Sequence, residues 1–449
     1  MTTAEFIREH REQDVRQLAL HANRFPNVDM PYALDQIRGW QIARRKLPAW
    51  AACDDIIFPP HLSMEQCSSA PTAQYKCELA QQWIAKCDNS KLNLFVKPNE
   101  QRRNLFRLCH GEKRCMNMND SPSQAQPRTI QHSTLNPQHS TMTDLTGGFG
   151  VDFSHIACIF GKATYVERNE QLCRIAEHNL PLLGVENAVV ECADAVDFLA
   201  NLQPQTMLFL DPARRDEHGG KTVMLADCTP DVVQLLPQLL AKSRFTMLKL
   251  SPMLDWHKAV EDMQGAVREV HIVSVDGECK ELLLVLSKEI DDELKVCCAD
   301  LKTGTTSNLF VYKPSSSCPI ANPSFNPRSS NYLYEPNASI MKAGCFDELA
   351  AVYGVSPVSN NSHLFLSEDP IDDFPGRRFV VERVTTMNKG ELRKALCGTT
   401  KANIATRNFP LSVVELRRRL KLKDGGDVYI FATTTAEGEH VLLISRKYS

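Results

Sequence analysis

The sequence predicts an α/β protein built on a doubly wound, Rossmann-like sheet of seven strands, with a helical N-terminal region before it and a small α+β domain after it. Three observations predict this. Strand-like apolar runs alternate with helix-sized amphipathic segments from Met142 onward. An acidic residue and three glycines stand where the first of these strands should turn into a helix. The last two runs are joined by DGECK, a link so short that the strands must form an antiparallel hairpin.

Residues 1–90 read as helical, with amphipathic spacing in FIREHREQDVRQLALHA, DQIRGWQIARRKLPAW and TAQYKCELAQQWIAKC, and prolines at 48, 59, 60 and 71 separating the helices. Residues 91–140 change to Asn, Gln, Ser, Pro, His and Arg, and read as a polar insertion or loop with little to bury. Residues 141–290 hold the sheet: MTDLTG, ATYVERN, AVVECAD, TMLFLDPA, FTMLKLSP, VHIVSV and ELLLVLSK. Residues 291–370 loosen into a linker-like segment with a Ser/Pro/Asn-rich stretch at 313–330. Residues 371–449 combine the strands RRFVVERV, VYIFATT and HVLLISRK with the helices KGELRKAL and SVVELRRRLKL.

Composition removes several classes. The 449 residues, 43% apolar and 23% charged, are those of an ordinary globular protein. No apolar run is long enough for a membrane span, and MTTAEFIREH is charged where a signal peptide is apolar, so a cytoplasmic protein is expected. Sixteen cysteines occur without a single CxxC pair, which leaves reduced thiols and no metal site as the expectation. The net charge of −3 hides an asymmetry: from Arg377 onward there are fifteen basic and seven acidic residues. A basic tail on an acidic remainder fits a polyanionic partner, or merely a solvated basic face.

The chemistry concentrates in Asp144-Leu-Thr146-Gly147-Gly148-Phe-Gly150. Glycines at a strand-to-helix turn admit a ligand close to the backbone, and the acid before them can hold an amino group. A dinucleotide fingerprint begun at Gly148 and Gly150 needs a glycine where Phe153 stands, and a Walker A loop ending Gly220-Lys221-Thr222 has Arg215 in place of its first glycine. Both fail. Glu167, Asp194 and Asp211 then end the second, third and fourth strands, on the carboxyl edge where such sheets bind ligands. Each acid alone can be a helix cap or turn residue, but the series points to a ligand.

DLTGGFGVD, VERN, CADAVDF and DPARR together resemble the motifs of class I S-adenosylmethionine-dependent methyltransferases. The resemblance implies S-adenosyl-L-methionine as cofactor, with Asp144, Thr146, Gly147, Gly148 and Gly150 around its methionine part. It implies Glu167 and Arg168 at the ribose, Asp194 and Ala195 at the adenine, and Asp211 and Pro212 at the transfer site. Thr146 departs from the pattern, many members having a glycine there. KLPAW, SMEQCSSAPTAQYK, KLSPMLD, ECKELL, YLYEPNASIMKAG and ANIATRNFP extend the likeness to a bacterial group of methyltransferase-like proteins with a ferredoxin-like segment and a C-terminal THUMP-like domain. THUMP domains bind structured RNA, so RNA is the partner that the resemblance implies. In that outline the stretch 97–140 looks inserted, and SSAPTA falls near the cofactor's amino-acid end.

DPARR resembles the Asp-Pro-Pro-aromatic motif of amino-methyltransferases, with arginine in place of the stacking aromatic. Arg214 and Arg215 can grip phosphate, stack on a base, or simply pair with Asp216 or Glu217. A cysteine nucleophile, as carbon-5 pyrimidine methylation needs, has only Cys228 and Cys279 as candidates. In the tail, Lys401, Arg407, Arg417, Arg418 and Lys421 form the expected RNA grip, although consecutive arginines on one helix cannot all face one groove. The reading is an RNA methyltransferase; its rivals are a small-molecule or protein methyltransferase and a non-catalytic RNA-binding protein.

Overall fold

The computed structural model describes residues 1–88, 139–214, 225–290, 292–302, 307–314 and 331–448. Nearly all of the polar 91–140 stretch, most of 313–330, Arg215, its expected partners Asp216 and Glu217, and the Arg214 side chain lie outside the described residues. Two compact units emerge, Met1–Glu269 with Leu282–Asp292, and Val270–Glu281 with Glu293–Ser449.

The first unit begins with α1 (Thr3–His10), α2 (Val15–Leu20), α3 (Met30–Lys46), α4 (Pro48–Ala51), α5 (His61–Gln66) and α6 (Ala70–Cys87). Local chemistry sets their starts. Thr2 and Glu5 form a capping box on α1, and the Asp14 and Asp29 carboxylates accept first-turn amides of α2 and α3. Ala43, Leu47, Trp50, Phe58, Met64 and Ala73 then bury against Phe149 and Val151, so the helical region and the glycine turn share one core.

Seven strands follow: β1 (Thr141–Asp144), β2 (Lys162–Glu167), β3 (Ala188–Cys192), β4 (Gln205–Leu210), β5 (Ser243–Leu250), β6 (Val267–Val275) and β7 (Glu278–Leu286). Their order is β3-β2-β1-β4-β5-β7-β6. The first five are mutually parallel, and β7 runs antiparallel to β5 from Thr246↔Leu286 to Leu250↔Leu282. The β6–β7 turn places Asp276 and Gly277 both at positive φ, the backbone that a two-residue hairpin needs. The helices α7 (Val151–Ile156), α8 (Glu170–Leu182), α9 (Ala195–Asn201), α10 (Val232–Lys242) and α11 (Trp256–Asp262) connect the strands.

In the second unit the sheet continues past β6 with β8 (Lys295–Leu301) and β9 (Asn308–Tyr312), giving nine strands where the sequence predicts seven. A separate seven-stranded sheet follows, built from β10 (Tyr332–Pro336), β11 (Ser356–Pro357), β12 (Phe365–Ser367), β13 (Gly376–Thr386), β14 (Asn403–Arg407), β15 (Val428–Thr434) and β16 (His440–Lys447). Its order is β11-β12-β10-β13-β16-β15-β14. Helices α12 (Ala338–Ala343), α13 (Phe346–Tyr353), α14 (Lys389–Ala395) and α15 (Val413–Leu420) accompany it, α15 forming the crossover between the parallel strands β14 and β15. Among the described residues no helix is long and apolar enough to cross a membrane.

Candidate active site

Parallel strands β1 to β4 end on one edge, which brings Asp144, Glu167, Asp194 and Asp211 to that edge. Gly147 is fixed as glycine by packing, because an added Cβ there would lie 2.2 Å from the Tyr165 ring. Gly148 and Gly150 have φ of 56° and 82°, backbone that favours glycine, and Gly150 opens α7. Glu167 joins the turn to the end of β2: one carboxylate oxygen accepts the Gly148 amide at 3.0 Å, the other the Asn169 amide at 2.9 Å. Each oxygen retains lone pairs with which a ligand hydroxyl can bond.

Asp144 is 1% exposed and accepts the Thr146 amide at 2.9 Å. Burial pushes its carboxyl up to about 8, against the Thr146 bond and aided by the negative charges of Asp152 and Asp211. Thr146 has a use for its departure from glycine: its hydroxyl accepts the Asp211 amide at 2.6 Å, tying the β1 turn to the end of β4. Asp194 caps α9, accepting the Val196 amide at 2.8 Å, with Ala195 as the first residue of that helix and Arg168 exposed after β2. Pro212 is buried, and the Ala213–Arg214 backbone forms a two-stranded ribbon with Cys228–Thr229.

Behind Asp211 lies a charge chain that sequence reasoning missed. Lys249 Nζ lies 2.6 Å from Asp211 Oδ2 and 3.1 Å from Asp152 Oδ2. Lys76, with no exposed side chain, lies 3.1 Å from Asp152 Oδ1, and the Ser68 hydroxyl donates to Asp152 at 2.8 Å. Burial opposes ionisation of Asp152, but Lys249 and Lys76 override it and hold the carboxyl well below the usual carboxylate range. Ser68 belongs to the SSAPTA segment, and Lys76 lies one turn further along α6. The available signal was a lysine inside the apolar run FTMLKLS, since a charge there must be paired if the strand is buried.

The two candidate thiols differ from activated nucleophiles. Cys228 is buried, and burial pushes the Cys279 thiol up to about 11, against the pull of Lys342. The tail residues divide into two sets. Arg407 pairs with buried Glu335 at 2.7 Å, and Arg417 bonds Asp424 at 2.6 Å and the Ala402 carbonyl at 3.0 Å. Lys401, Arg418 and Lys421 are exposed, and a parallel bridge between Lys401 and exposed Lys423 sets two lysines side by side.

Residues 332–375 match a ferredoxin-like domain family and residues 376–447 a THUMP domain-like family. A crystal structure from Porphyromonas gingivalis W83, described as a "putative methyltransferase", resembles this chain at 29% identity and TM-score 0.76, covering 100% of this chain and 98% of the other. Over its whole length the chain is thus similar in fold to a protein described as a putative methyltransferase, and its C-terminal part carries ferredoxin-like and THUMP domain-like segments. The order β3-β2-β1-β4-β5-β7-β6 is the sheet of this methyltransferase fold, with β8 and β9 as additions. Two further structures match about a third of it: an rRNA methylase from Streptococcus thermophilus (15% identity, 34% of this chain and 88% of that one, TM-score 0.26) and a SAM-dependent methyltransferase from Agrobacterium tumefaciens (19%, 33% and 56%, TM-score 0.27). No curated protein matches the sequence.

Proposed function

We propose that this protein is an S-adenosyl-L-methionine-dependent methyltransferase that acts on an RNA base, with its basic tail as the grip on the substrate. The observation that carries the first half is the cradle at the strand ends. A buried carboxyl at Asp144 sits beside a glycine turn with positive φ, and Glu167 is held against that turn. A carboxyl forced towards its neutral form by burial gains most from a neighbouring cation, and the cofactor's ammonium is one. The residues therefore fit the cofactor: Asp144, with Thr146, Gly147, Gly148 and Gly150, holds the methionine end, Glu167 and Arg168 the ribose, and Asp194 and Ala195 the adenine. When bound, the cofactor supplies an electrophilic methyl group on a sulfonium. The P. gingivalis relative, described as a "putative methyltransferase", supports this reading.

Asp211 and Pro212 border the acceptor, with the Arg214 backbone next to them. The Asp211 carboxylate, half-exposed, accepts a hydrogen bond from the acceptor and aims its lone pair, so that this part of catalysis is positioning. The RNA half rests on the THUMP domain-like match and on the exposed charges of Lys401, Arg418, Lys421 and Lys423. Neutralising RNA phosphates releases counterions, so the grip weakens with salt. Arg407 and Arg417 serve it by holding the tail's own structure. Incubating the protein with methyl-labelled cofactor and total RNA tests the reading. Label in RNA that disappears in Asp211→Ala supports it, and label confined to small molecules or protein overturns the RNA half.

A further inference from the structure

The chain Lys76–Asp152–Lys249–Asp211 alternates in sign from the interior to the edge of the site. Its inner members are almost fully buried: the side-chain exposures are 0% for Lys76, 9% for Asp152 and 11% for Lys249, against 41% for Asp211. A buried ammonium between two carboxylates has little freedom to reorient, because leaving either one strands a charge in a medium that solvates it poorly. Asp152 cannot follow it, because Lys76 holds its other oxygen, Oδ1, and the Ser68 hydroxyl donates to Oδ2 beside Lys249. Only the outermost member is substantially exposed.

We propose that Lys249 is a positioning residue of the transfer site. Its ammonium clamps the Asp211 carboxylate in one orientation, and α6 of the helical region supplies the far anchor of that clamp through Lys76. The proposal rests on the methyltransferase reading for its consequence in rate, but not for the clamp itself. A second restraint points the same way, since the Asp211 backbone amide is bound by Thr146 at 2.6 Å, so both ends of the residue are held. The arrangement makes residues 68–76 part of the acceptor site rather than an accessory to it.

The test uses the full chain with S-adenosylhomocysteine as the probe, in wild type, Lys249→Met and Asp152→Asn. Crystal structures should show one Asp211 rotamer in wild type and several, or a different one, in Lys249→Met. An unchanged Asp211 there overturns the clamp whatever the substrate proves to be. With methyl-labelled cofactor and RNA, Lys249→Met should lower kcat by roughly 100-fold while the cofactor KM stays within about threefold, the size of effect that misplacement by an ångström produces. Equal losses in kcat and cofactor affinity would mean a merely structural lysine and overturn the proposal. Should Lys249→Met fail to fold, Asp152→Asn, which frees the ammonium without removing it, carries both measurements. A wild-type protein that labels no RNA sinks the RNA reading alone, since the rotamer result still decides the clamp.

Discussion

The ionic chain of the first unit and the basic tail of the second use similar side chains in opposite ways. In the first, Lys76 and Lys249 are buried and each lies between carboxylate oxygens or against one, so charge is balanced at every step. In the second, Lys401 and Lys423 adjoin through a backbone bridge and both are exposed, so that like charges sit together in water. Water and salt screen the second arrangement and make it cheap, while the first is screened far less. The lesson is that a lysine's role follows from burial and partners: the paired ones hold a site together, and the adjoining ones offer charge to something else.

The sharpest break of that comparison is Lys76→Met, which leaves Asp152 with one cation instead of two. It should lower global stability by about 3–5 kcal/mol in urea unfolding; a loss comparable to an exposed lysine's would show that the chain is not the tight network described. Gly147→Ala comes next. It forces a methyl group into the Tyr165 ring and should cost about 1–3 kcal/mol, with Tyr165→Leu in the same chain recovering part of it.

Reversing Lys401 and Lys423 to glutamate should leave the melting temperature where it is. It should lower affinity for structured RNA about tenfold and reduce the slope of log affinity against log salt by roughly 2, one for each lost phosphate contact. Unchanged RNA affinity would return these lysines to a solvated face. A further effect is spread over pH. Because burial raises the Asp144 carboxyl to about 8 in the folded chain, the folded state holds a proton that the unfolded chain has already lost above about 4. Stability should therefore fall as pH rises from about 4 to about 8, by at most about 1.4 kcal/mol per pH unit, and then level off. Asp144→Asn should remove that part of the slope, as urea midpoints across the range will show.

Much of the fold was legible because the core strands are apolar runs of the right length and because DGECK admits only a hairpin. The glycine turn and its acids were legible for the same local reasons. What escaped was long-range. Lys295–Leu301 and Asn308–Tyr312 join the sheet by pairing, which no local pattern in KVCCADL announces. Lys76 reads as one more polar residue of an amphipathic helix until Asp152 is seen beside it, and Arg407 counts as an available cation until Glu335, 72 residues away, is found holding it. Glu335, in turn, binds Arg377 as well, which shows how a basic composition can be partly spent inside a domain.

The most direct test of the central claim is a calorimetric titration of the full chain with S-adenosylmethionine and S-adenosylhomocysteine, beside Asp144→Asn and Glu167→Gln. Wild type should bind both with micromolar affinity, weakened at least about tenfold in each variant, a change of about 1.4 kcal/mol or more. Binding unaffected by both substitutions, or none to wild type even with RNA present, would contradict that claim.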